Sequence, residues 1–260
     1  MFPTQSGTEP RLGWRALALA LGGLLVLYYL VPLLSLVGPV SPTTLVRSVA
    51  DPAVRAAATT SVLASLVSPA VAAVFGIPLA YWLSTADGRL GQAVLVLVVV
   101  PLVLPPVVSG MLLVGLFGQG TPLAGLGLTR SFAGVVLAQT FVASPLVVVT
   151  ARTAFLGVDE ELRETARTLG CTPSETFRRV TLPLARRGLV AGLALGFARA
   201  MGEFGATMLV AYYPRSLPVQ VWVSFTTAGI EAAFPVALVL LVVALAVLAL
   251  VTGLGAVPRR

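Results

Sequence analysis

Residues Val158–Arg187 read VDEELRETARTLGCTPSETFRRVTLPLARR, a dense charged island in a chain that is otherwise mostly hydrocarbon. Asp159 is an N-cap residue, and Glu160, Glu161 and Glu164 load the turns behind it with the charge that a helix N-terminus favours. Leu162, Ala166 and Leu169 recur at helical spacing and predict a narrow apolar stripe. Glu160 with Arg163, and Glu164 with Arg167, stand three apart and predict weak ion pairs. Gly170 is the expected stop. Thr172-Pro173-Ser174-Glu175 then has the form of a capping box with proline at the first helical position. A second short helix follows and is expected to end before Pro183, because proline disfavours helical geometry in the residue before it. The island therefore reads as two short helices joined at Gly170. By these residues alone it is either a self-paired, solvated connector or a handle for a partner.

The rest of the chain says where such an island sits. Hydrophobic residues make up 57% and charged residues 10%, against roughly 25% charged in an ordinary soluble domain. Mean hydropathy is +0.98. This composition is that of an integral membrane protein with several spans. The net charge of +7 invites a nucleic-acid partner, but the arginines lie in loops and at the ends, which membrane topology explains better. Histidine is absent, which excludes His-based triads and the HExxH zinc site. Lysine is absent too, so the chain has no phosphate-loop lysine and is not itself an ATPase. Cys171 stands alone, which excludes an intrachain disulfide and a cysteine metal cluster. No catalytic residue, metal site or cofactor is assigned to this chain.

Residues 1–15 are polar and read as a cytoplasmic tail. Ala16–Val37 is apolar for roughly 22 residues, enough to cross a bilayer core, and too long for a secretory apolar region. Residues 16–55 therefore form a first span and an external segment. Further spans are expected over Ala56–Ser84, Leu90–Phe117, Ser131–Phe155, Gly188–Tyr212 and Glu231–Leu254. The third is expected to break at Pro101 and again near Pro105-Pro106. Asp87-Gly88-Arg89 reads as a tight turn, Gly118–Arg130 as a Gly-rich external loop, Ser216–Ile230 as a re-entrant or amphipathic segment, and 255–260 as a cytoplasmic end. About six spans put both termini on one side. Arg89, Arg152, the arginines of the island and those of both termini fall on that side, against Arg47, Arg55, Arg130 and Arg215 on the other. The positive-inside rule makes the richer side, island included, cytoplasmic.

Inside the apolar segments, Arg199 and Glu203 lie one helical turn apart. Charges at mid-bilayer are costly and usually face a bundle interior or a wet cavity. They read either as a self-satisfied pair or, with Ser109 and Thr207, as a pathway or gate. Gln139, Thr140, Ser144, Ser224, Thr226 and Thr227 are polar groups of the kind that either hydrate a pore or bond between helices. Gly202 and Gly205 suit close helix packing.

Glu164-Thr165-Ala166, then three residues, Gly170, nine residues, and Val180-Thr181-Leu182-Pro183 resembles the EAA signature of binding-protein-dependent ABC importer permeases. The spacing matches throughout; Thr165 stands for the middle alanine and Val180 for isoleucine. Leu104–Gly110, Gly134–Pro145 and Ala198–Ala206 resemble molybdate permeases, and Met208–Pro214 is similar to the archaeal molybdate/tungstate type. The resemblance implies an all-α polytopic bundle of about six transmembrane helices, the type I ABC importer (MetI-like) fold, with the transmembrane domain over 56–254 and the coupling loop over 158–187. It implies that Glu164, Thr165, Ala166, Gly170, Val180, Leu182 and Pro183 couple to an ATPase. Its expected partners are a second copy of the chain, two ABC ATPase subunits that carry ATP and magnesium, and an external oxyanion-binding protein in the plasma membrane setting. Sulfate/thiosulfate permeases are the nearest alternative. A stand-alone channel or secondary carrier, or an intramembrane enzyme, is the alternative of another class, but only Glu203 is a clear intramembrane carboxylate, and carriers often hold several.

Overall fold

The computed structural model describes residues 11–86 and 88–255. Most of the tail expected at 1–15, the turn residue Asp87 and the terminal Arg259 and Arg260 lie outside the described residues. Among the described residues every regular element is a helix. Five helices are long and apolar enough to cross a membrane, and a sixth crossing is added if one bent pair counts as a span. That matches the expected all-α bundle of about six spans.

Helix α1 (Arg11–Ser35) is apolar all round and packs little on the rest of the chain. Ser41 caps the short α2 (Pro42–Ala50). Asp51 ends α2 and starts α3 (Pro52–Thr85), its carboxylate accepting from the Ala53 N–H at 2.7 Å. This cap explains why α3 begins four residues before the apolar run that marked it. Pro69 and Pro78 lie within α3 without ending it.

The expected third span is two helices, α4 (Arg89–Val103) and α5 (Pro106–Phe117), bent by 112°. Pro101 does not break it, contrary to expectation; it lies within α4. The break is at Leu104-Pro105. Each proline pushes its predecessor out of the helical region, and both Leu104 (ψ 135°) and Pro105 (ψ 136°) are extended. Pro106 can then open a new helix, since the first helical N–H needs no partner.

The core is built by α3, α6 (Phe132–Leu156) and α9 (Leu182–Met201). Helices α3 and α6 are tied by the Ser68 hydroxyl donating to Gln139 Oε1 at 3.0 Å. Gln139 is thus a buried interhelical contact. A cluster of Ala80, Leu83, Val148, Ala151, Phe155 and Leu189 fills one end. After α9 the chain breaks at Gly202, makes the short α10 (Gly205–Val210), and continues through α11 (Leu217–Ala228) into α12 (Ile230–Gly255). The expected fifth span to Tyr212 therefore stops at Met201. Leu217 is fully buried, and its N–H donates to Ser61 Oγ at 2.7 Å, fixing α11 to α3.

Gly205 is a close-packing glycine, as expected; Gly202 is exposed and simply ends α9. A Cβ on Gly205 would meet Pro106 Cβ and the Val107 backbone nitrogen at 3.0 Å. Backbone cannot swing aside as a side chain does. Gly205→Val is expected to cost about 1–3 kcal/mol by overpacking. The measurement is the thermal midpoint in detergent, and an unshifted midpoint would mean that α5 and α10 are not held in this contact.

Candidate functional site

The charged island folds as α7 (Glu160–Thr168), a single turn α8 (Pro173–Thr176), and a π-helical turn Phe177–Thr181 that runs directly into α9. Asp159 caps α7 by accepting from the Glu161 N–H at 3.1 Å. At its far end the Cys171 N–H donates to the Ala166 carbonyl and the Gly170 N–H to Arg167, at 3.0 and 2.9 Å. These two bonds close a Schellman motif, whose left-handed position is Gly170 at φ +90°. The expected capping box is complete: the Glu175 N–H donates to Thr172 Oγ1, and the Thr172 N–H donates to Glu175 Oε2 at 2.9 Å.

Three expectations for the island change. The second helix does not end before Pro183. Leu182 donates to Phe177, one residue farther back than in an α-helix, and this π turn accommodates a proline that lacks an N–H. The stripe of Leu162, Ala166 and Leu169 is split. Ala166 is buried, while Leu162 is 48% and Leu169 80% exposed. The inward side of α7 is instead Ala166 and Arg163. Arg167 approaches Glu160 at 3.9 Å, and among the described residues Glu164 makes no ion pair and stands exposed on the outer face.

Of the signature residues, Glu164, Thr165, Gly170 and Pro183 are exposed, Ala166 is buried, and Val180 and Leu182 are half-buried at the π turn. Exposed positions thus run from Glu164 and Leu169 through Gly170 to Ser174, and resume at Arg178, Arg179 and Pro183. Arg163 was legible only as a surface pair with Glu160. It makes that pair at 2.9 Å, but it is 6% exposed and also donates from Nη2 to the Phe155 carbonyl at 2.6 Å.

The second group lies where α9 breaks. Glu203 is 1% exposed; its Oε1 accepts from the Ala206 N–H at 2.9 Å, and its Oε2 lies 2.6 Å from Arg199 Nη1. The second contact is an ion pair rather than an aligned hydrogen bond. Glu203 therefore serves α10 as a cap, which its place in the sequence did not reveal. Ser109 and Thr207 are fully buried, with hydroxyls that have no partner among the described residues. Arg199, whose side chain is 28% exposed, is the member of this group that reaches the surface of the chain.

Comparison with known proteins places this arrangement. Residues 72–257 match the family described as "Binding-protein-dependent transport system inner membrane component". The chain is 56% identical, over 94% of its length and 92% of the relative's, to a probable molybdenum ABC transporter permease protein of Haloferax volcanii. It is 32% identical to the molybdate/tungstate transport system permease protein WtpB of Pyrococcus abyssi, covering 88% of this chain and 90% of that one. Among solved structures, a chain of the MetNI methionine ABC transporter in inward-facing form superposes with a TM-score of 0.62, at 21% identity over 76% of this chain and 91% of that chain, which shows a shared fold. This chain belongs to the family of binding-protein-dependent transport system inner membrane components, as a multi-pass membrane subunit of an ABC importer.

Proposed function

We propose that this chain is the permease subunit of an ATP-driven importer of molybdate or tungstate, and that its charged island is the surface gripped by the ATPase. The observation that carries the substrate class is the 56% identity, over nearly the whole of both chains, to the probable molybdenum permease. Sulfate is disfavoured beside it, since the named relatives handle molybdenum or tungsten oxyanions. The grip is supported by the geometry of α7, whose outer face leaves Leu162, Glu164 and Leu169 without intrachain cover.

Two copies of the chain act together. Arg199, in the last turn of the α9 span, is partly exposed. Polar groups within a span favour a bundle interior or a wet cavity over lipid, and a second copy provides one. Arg199 then borders the pathway, with Glu203 behind it and the buried hydroxyls of Ser109 and Thr207 as further polar groups of the gate. ATP and magnesium belong to the partner subunits, and both termini and the island are cytoplasmic by the arginine distribution. Closure of the two ATPases on ATP draws the two islands together, and that rigid-body motion opens the pathway outward. It does so because ATP favours one of the two states by differential contacts.

The test is uptake into proteoliposomes. Molybdate and tungstate are expected to accumulate only with the ATPase, ATP and the binding protein all present, and sulfate is expected to compete poorly. Uptake by this chain alone would remove the importer reading, and preferred uptake of sulfate would remove the substrate assignment.

A further inference from the structure

Two buried or half-buried arginines each reach the end of a neighbouring core helix. Arg163 on α7 donates from Nη2 to the Phe155 carbonyl in the last turn of α6, at 2.6 Å. Arg152, itself on α6, donates from Nε to the Leu83 carbonyl in the last turn of α3, at 3.0 Å. Both carbonyls lie in a helix's last turn, where its own N–H partners run out and its dipole favours a cation; the Phe155 carbonyl also accepts from the Val158 N–H at 3.2 Å. The two contacts stand in series, from α7 to α6 to α3.

The segment between α6 and α7 is only Gly157, Val158 and Asp159. Helix α7 has nine residues, too few to hold itself as a helix in isolation. Its orientation is therefore set by what its inner face touches. That face offers one small apolar residue, Ala166, and the Arg163 guanidinium. The guanidinium's other terminal nitrogen, Nη1, is held by Glu160 of the same helix at 2.9 Å. Below it, Phe155 is fully buried and lies edge-on to Tyr81 of α3 at 5.4 Å, and 6.0 Å from Phe177 at the π turn. The carbonyl that Arg163 grips thus belongs to a fully buried residue of the core cluster at this end of the bundle.

We propose that Arg163, with Arg152 behind it, is a positioning residue for coupling: it converts displacement of the α7 outer face into displacement of α6 and α3. This rests on the reading of the island as the ATPase docking surface. Without the guanidinium, α7 still offers the same outer face to a partner but swivels about Gly157–Asp159 when pulled.

The test uses the whole complex, permease with ATPase and binding protein, in proteoliposomes. The readout is ATP hydrolysed per molybdate imported. Arg163→Met keeps an unbranched apolar stem of similar reach and removes both hydrogen bonds. It is expected to retain ATPase recovery and hydrolysis while the ratio rises by about fivefold or more, the low end of coupling effects between sites. Arg163→Lys, able to reach the carbonyl with a single donor, is expected to fall between. A variant that only lowers the amount of intact complex lowers hydrolysis and uptake together and leaves the ratio unchanged, and that result overturns the proposal. Should Arg163→Met fail to assemble, a wild-type ratio in Arg163→Lys overturns it equally. Failure of the wild-type chain to recover an ATPase sinks the docking reading itself and is seen before any variant is made.

Discussion

A chain carrying Gly170→Asp is expected to remain folded and to lose its ATPase partner. A Cβ at this position meets no atom within 4 Å, so the substitution makes no internal clash. The cost is conformational. Gly170 holds φ +90°, a geometry that strains any L-residue by roughly 1–2 kcal/mol. It is the left-handed residue of the motif that closes α7 and aims the chain into the Thr172 capping box. Relieving the strain rotates α7 against α8, and these two segments form the outer surface together. Aspartate also adds a charge in the middle of that surface, where a mismatched charge costs binding. Recovery of the ATPase in a pull-down is expected to fall to background, with the thermal midpoint lowered by only a few degrees, as about 1 kcal/mol implies for a chain of this size. Gly170→Ala separates the two causes, because it keeps the strain and omits the charge. Undiminished recovery with Gly170→Asp would leave the island as a connector that no motor touches.

The second large effect is on stability. Glu203→Ala is expected to destabilise the chain by about 3 kcal/mol, the low end for breaking a buried ion pair, since Arg199 keeps some access to the surface. The loss has two sources. Arg199 is left without its carboxylate, and the Ala206 N–H at the start of α10 loses its acceptor. Glu203→Gln retains an oxygen for that N–H and is expected to lose less. Adding Arg199→Met to Glu203→Ala removes the unpaired charge and is expected to restore part of the midpoint, and the double-mutant cycle gives the pair's own coupling. A midpoint in Glu203→Ala equal to that of the parent would mean that Glu203 neither caps α10 nor holds Arg199.

Much of this chain is written in short-range pattern. A run of about 20 apolar residues crosses a bilayer whatever surrounds it, so the number of spans was legible. Asp159, Gly170 and the Thr172–Glu175 box lie within a turn of the groups they satisfy; Asp159 and the box start their helices, and Gly170 ends one, where their spacing put them. Pro105-Pro106 acts on its own backbone, so a bend was expected there, although its 112° was not. Pro101 misled because a single proline inside a packed or membrane helix is tolerated when neighbours accommodate it. The run ending at Tyr212 misled for a related reason: apolar composition continues past Gly202, while the helix does not.

What local pattern could not carry is direction. Composition, apolar run length and the spacing of the island by themselves determined a bundle of about six membrane helices with a small, charged, two-part element between the fourth and fifth. Tertiary structure alone decided which way each side chain of that element turns. Leu162 and Leu169 point away from the core, Ala166 and Arg163 toward it, and Arg152 reaches a carbonyl 69 residues earlier in the chain. It also decided that Glu203 serves α10 as well as pairing with Arg199, and that Leu217 is pinned to Ser61, 156 residues away. Helical periodicity places residues on a common face, but which face becomes the inside is settled only when a second helix arrives to cover it.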